Sequence, residues 1–138
     1  MENAAAAETI AEVKYTRAQA LEEGLLMDIT ELSKNFGIKI PAAVTVDVFV
    51  HCILEETEEG EPNHEEMSDR LVNMLLSFVN ALLKEPDLGK SAEIDLNVQL
   101  GKEPHPPIQA KLHGGDEGEP VMTFMFPIPS ENVPKNEL

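Results

Sequence analysis

Tryptophan is missing from this chain, and tyrosine and cysteine each occur once. A lone cysteine, Cys52, allows no intrachain disulfide, as expected of a cytosolic protein. Without Trp, a core has to be filled by Leu, Val, Ile, Met and Phe. Bases are scarce as well: 10 Lys and Arg stand against 26 Asp and Glu, a formal net charge of −16. That charge repels phosphates and anionic lipid, which argues against direct binding of DNA or RNA. No apolar run approaches the roughly 18 residues needed to span a bilayer. The first residues lack a basic region followed by an apolar core, so no secretory signal is read there. The expectation is a cytoplasmic protein that touches neither nucleic acid nor membrane.

The motifs of common chemistries are missing too. No serine has a Gly-x-Ser-x-Gly context, and there is neither a Walker-type loop nor a Gly-x-Gly-x-x-Gly. His64, His105 and His113 have no zinc-type spacing. Asp47, His51 and Glu55 lie four apart and would share a helix face, but one His between acids reads more simply as a wet face. Nothing in the sequence assembles a nucleophile, a base and an orienting group. The expectation is therefore no cofactor, no metal and no enzyme.

What is present suits one packed domain: 138 residues, of which 42% are hydrophobic, in the usual range for a soluble domain. Residues 1–12 read as a flexible tail, 13–127 as a single α+β domain and 128–138 as a second flexible tail. Thr16, with Gln19 three residues on, predicts a capping box opening a short helix that Gly24 closes. A second short helix follows and stops at Gly37. Apolar residues at 46, 49, 50, 53 and 54 predict a helix from Thr45 to Glu56. Residues 66–84 predict the longest helix, apolar on most sides, with a narrow stripe of Asn73, Ser77, Asn80 and Lys84. Such a helix is expected to lie across a sheet, with its other flank covered by more helix or by a second subunit. Alternation over 91–100, 108–113 and 121–126 predicts three strands. Together these give an α+β fold, with N-terminal helices packed on a C-terminal three-stranded antiparallel meander.

Two acidic stretches stand out. Glu55, Glu56, Glu58, Glu59, Glu61, Glu65, Glu66 and Asp69 form a run closed only by Arg70. It reads either as a solvated loop leading into a helix N-terminus or as a patch for a basic protein partner. In "HGGDEGEP", residues 113–120, Asp116, Glu117 and Glu119 are interleaved with glycines. Gly114, Gly115 and Gly118 suit a hairpin, and Pro120 suits a strand start, so a turn is favoured over a carboxylate site.

Three stretches taken together resemble an uncharacterised small bacterial domain family carried on plasmids, phages and other mobile elements. They are Tyr15, Thr16 and Arg17 within "YTRAQA", continuing to Asp28; Gly37, Pro41 and Thr45 in "FGIKIPAAVT"; and Asp116, Gly118, Glu119 and Pro120 in "DEGEPVMTF". The resemblance spans about residues 13–126 and implies context rather than an activity. Family members look rich in Trp and Arg within the middle helices, where this chain carries its acid run. Arg17, one of few bases, is expected to pair with Asp28 or Glu119.

The function expected is an acidic, non-enzymatic interaction module of a mobile element. Its acids would occupy the groove of a basic host defence protein as a nucleic acid would. The alternatives are a small ligand-binding domain or enzyme with a cleft between the Tyr15/Arg17 and Asp116–Glu119 motifs, and a structural homodimer through 66–84.

Overall fold

A computed structural model describes residues 16–127. Tyr15 and the two stretches read as tails, 1–12 and 128–138, lie outside the described residues. The chain runs α1 (Arg17–Glu22), β1 (Leu26–Asp28), α2 (Thr30–Lys34), β2 (Ala42–Thr45), α3 (Val46–Val48), a π-helical turn (Phe49–Ile53), α4 (His64–Lys84), a 3₁₀ turn (Pro86–Lys90), β3 (Glu93–Leu96), β4 (Ile108–Gly114) and β5 (Pro120–Met125).

The fold is α+β, but the expected three-stranded antiparallel meander is wrong. The strands form one five-stranded mixed sheet in the order β1-β2-β5-β4-β3. β3, β4 and β5 pair antiparallel as a meander would. Two N-terminal strands then extend it: β2 runs parallel to β5, and β1 antiparallel to β2. Nor are the helices gathered at the N-terminus, since they alternate with β1 and β2 and the longest lies mid-chain. The physical reason is burial. Ala42, Ala43 and Val44 are 0% exposed, so β2 is covered on both faces. A strand buried on both sides loses the apolar–polar alternation that marks a half-buried one.

The helix expected over 45–56 is also corrected. Thr45 caps α3, its Oγ1 accepting from the Val48 amide at 3.3 Å. After Val48 the chain winds as a π turn and leaves it at Leu54. The run is rich in β-branched residues, which crowd a regular helix.

Register divides the sheet into two faces. One row across all five strands is Met27, Val44, Phe124, Ala110 and Ile94. It packs under α4 through Met74, Leu75 and Phe78. Phe78 meets Phe124 edge to face, with ring centroids 5.9 Å apart. The next row is Asp28, Ala43, Thr123, Lys111 and Glu93, and it faces the other way. α1 lies on that side, burying Ala20. On α4, the flank away from the core leaves Leu76 and Leu83 exposed. Beside them Asn73, Ser77 and Asn80 line a groove with Asp95 and Asn97.

Candidate functional site

α1 is a six-residue helix whose start is held by two different segments. The predicted capping box is formed, with Thr16 Oγ1 accepting from the Gln19 amide at 3.0 Å. The two amides before it, of Arg17 and Ala18, donate to the two oxygens of Asp116 at 2.5 and 3.0 Å. These bonds hold the Asp116 carboxyl below its ordinary value, because each donates to the charged form. So the first and last motifs do meet, but through Asp116 rather than Glu119. Glu119 instead closes its own hairpin: its Oε1 accepts from the Glu117 amide at 2.9 Å. The hairpin forms, with β4 and β5 joined through Gly118 at φ +83°, but Gly114 and Gly115 do not take the positive φ expected of them, and Gly114 ends β4.

The Arg17 guanidinium turns onto the sheet. It donates to Thr123 Oγ1 at 3.0 Å and to the Met122 carbonyl at 3.2 Å. Neither expected carboxylate reaches it at ion-pair distance among the described residues; Asp28, Asp116 and Glu119 act on it only through space. Burial outweighs them and lowers its pKa. His113 Nε2 lies 2.7 Å from Thr123 Oγ1, and Nδ1 lies 3.1 Å from the Gly114 carbonyl. Arginine can only donate, so the Thr123 hydroxyl accepts from it and is free to donate to His113 Nε2. That leaves the Nδ1 proton for Gly114.

The fold therefore assembles a hydroxyl, a histidine and an orienting carbonyl that no sequence motif announces. Thr123 is only 5% exposed, and its hydroxyl is already engaged by Arg17. The relay ties α1 to the sheet. The signal that could have found it is the alternation of "IQAKLH": Ile108 and Ala110 point to the core, so Lys111 and His113 share the opposite face.

Beside this relay opens a cleft of about 530 Å³. Arg17, Lys111, His113 and Thr45 line it side by side with the apolar Leu26 and Met125. Asp28 ends β1, where its Oδ1 accepts from the Thr30 amide at 3.0 Å and starts α2. Gly37 turns the chain at φ +85°. Pro41 leads into β2, its carbonyl accepting from the Met122 amide at 2.9 Å.

The acid run is a closed loop followed by the first turns of α4. Glu56 and Pro62 form a bridge. Thr57 fixes the tip: its amide donates to the Glu61 carbonyl at 2.7 Å, and its Oγ1 accepts from the amides of Glu59 and Glu61. Two of the acids serve the interior. Arg70 is 5% exposed and pairs with Glu55 at 2.9 Å and Glu66 at 3.0 Å. The other six, Glu56, Glu58, Glu59, Glu61, Glu65 and Asp69, face solvent.

A larger cleft of about 810 Å³ lies next to Arg70, between His51, Phe126 and His105. The His105 ring closes a loop there, taking the Leu100 amide on Nε2 at 3.0 Å. Asp47, His51 and Glu55 all line this cleft, but Glu55 is bound to Arg70 and His51 leans on Phe126. Among the described residues no group of three or more His, Cys, Asp or Glu is placed to hold a metal ion. Cys52 is buried, and burial pushes its thiol up to about 11. No helix among the described residues is long and apolar enough to cross a membrane.

Compared with protein-family models, curated proteins and solved structures, the chain matches none of them.

Proposed function

We propose that this chain is a non-enzymatic interaction module whose acidic surface engages a basic groove on a partner protein. The observation that carries this reading is the closed loop at 55–62. Glu56, Glu58, Glu59 and Glu61 face solvent on a turn fixed by Thr57, and Glu65 and Asp69 continue the surface along α4. A surface already ordered loses less freedom on docking, and a concentrated charge steers a partner of opposite sign. The net charge of −16 acts in the same direction. The resemblance to domains of bacterial mobile elements supplies a context. A chain of that kind meets host proteins that grip nucleic acid, and defence nucleases are among them. Carboxylates in such a groove would stand where phosphates stand.

The test is affinity capture from bacterial lysate with the natural chain, beside a variant carrying Glu56→Gln, Glu58→Gln, Glu59→Gln and Glu61→Gln. A basic protein should be retained at low salt by the natural chain and lost by the variant. It should also be released at about 1 M salt, where the screening length falls to about 3 Å. Capture indifferent to both salt and the four substitutions, or no basic protein captured, overturns the reading.

A further inference from the structure

The cleft beside α1 runs against the character of the whole molecule. In a chain of net charge −16, it gathers Arg17, Lys111 and His113 around one opening of about 530 Å³. That volume falls within the roughly 300–1,000 Å³ of small-molecule sites.

The donors there are only partly committed. Arg17 carries five N–H groups, and its acceptors among the described residues, Thr123 Oγ1 and the Met122 carbonyl, are both neutral. Its charge is thus held in a half-buried place without a contacting carboxylate among the described residues. Arg70 is paired with Glu55 and Glu66, Lys34 with Glu31 and Lys90 with Asp87 at 3.8 Å, while Lys39, Lys84 and Lys102 lie outside this cleft. Lys111 has only a long contact to Glu93, at 3.7 Å. Thr45 Oγ1 accepts from the Val48 amide, which leaves its own proton to donate. The one carboxylate in the lining, Asp116, already has each oxygen taken by a backbone amide. The same lining also carries apolar side chains, Ala20, Leu26 and Met125.

Donors set among apolar side chains select a ligand by sign and by shape. We propose that this cleft binds a small organic anion, a carboxylate or phosphate monoester on an apolar body. The oxyanion accepts from Arg17, Lys111 and Thr45, and the body lies on Leu26 and Met125. A guanidinium beside an ammonium suits an oxyanion because charge-assisted hydrogen bonds are the stronger ones.

The proposal is tested by titrating the whole chain with phenyl phosphate, phenylacetate, benzyl alcohol, phenethylamine and inorganic phosphate. Calorimetry gives the affinity, and the amide resonances of Ala18, Thr123 and Lys111 give the place. At least one of the two organic anions saturates and shifts those resonances. Which of them binds tighter identifies the oxyanion. The neutral alcohol and the amine bind at least about tenfold more weakly, the ratio that 1.4 kcal/mol produces. Inorganic phosphate is also weaker, because it leaves Leu26 and Met125 uncovered. Lys111→Gln and Arg17→Lys each weaken the anion several-fold, while Lys34→Gln, remote from the cleft, does not. Arg17→Lys keeps the charge and loses the planar fork, so unchanged melting in either variant separates lost binding from lost folding. Equal affinity for the alcohol, no saturation by either organic anion, or unchanged affinity in both cleft variants overturns the proposal.

Discussion

Asp116 starts a helix it does not belong to. Its carboxylate takes the amides of Arg17 and Ala18, while Thr16 takes that of Gln19. The exposed start of α1 is thereby satisfied from a hairpin almost a hundred residues away, and that is how the two ends of the described chain are fastened. The contribution depends on charge. Amide bonds favour the ionised form and hold the Asp116 carboxyl below its ordinary value. Its stabilisation is therefore complete above the ordinary carboxylate range, near pH 4, and is lost as pH falls through the lower folded value. Asp116→Asn should lower the melting temperature at neutral pH. It should also flatten the loss of stability between about pH 5 and pH 2, where the natural carboxylate titrates. Thermal melts across that range decide it: parallel curves for the two proteins would remove Asp116 from this role.

At the scale of elements, Arg70 joins three pieces. Its guanidinium, projecting from α4, meets Glu66 one turn back, Glu55 and the Leu54 carbonyl at the end of the π turn. It also lies against Gly101, where an added Cβ would come within 3.0 Å of Nη1 at φ +77°. Arg70→Ala should cost about 2–3 kcal/mol in chemical denaturation, below the roughly 3–5 kcal/mol of a fully buried pair. The lower figure follows because the orphaned Glu55 and Glu66 side chains are 31% and 44% exposed and keep some water. A loss under half a kcal/mol, about that of an ordinary surface residue, would make Arg70 packing alone.

The same elements show what the sequence could reveal. α1, with its box at Thr16 and Gln19, and α4 were legible because local side-chain chemistry specifies both. β3 and β4 were legible through alternation. β2 was not, because Ala42, Ala43 and Val44 are buried on both faces. Its parallel partner β5 lies about eighty residues away, and no local pattern encodes that pairing. For the same reason the sequence suggested Arg17 with Glu119, whereas the hairpin turns Asp116 toward α1 and leaves Glu119 to its own loop.

The whole molecule carries its charge unevenly. Net −16 repels itself, and net charge far from zero works against the compact state. The solvent-facing acids of the 55–62 loop concentrate that repulsion where Arg70 is the nearest base in sequence, and Arg70 is already committed to Glu55 and Glu66. Sodium chloride should therefore stabilise the fold, with the urea midpoint rising as ionic strength goes from about 0.01 M to about 0.15 M and the screening length shrinks from about 30 Å to about 8 Å. The variant with Gln at 56, 58, 59 and 61 should be more stable than the natural chain at low salt and depend less on salt. Such a result would mean that the natural chain keeps these carboxylates at a cost in stability. Solubility alone explains that weakly, since acids spread over the surface would serve it with less mutual repulsion. A surface held charged against the fold, and held in one shape by Thr57, is what a docking face requires. Equal stability of the two proteins at low salt would show the loop acids to be too well hydrated to repel, and would leave the affinity capture as the sole test of the proposed docking face.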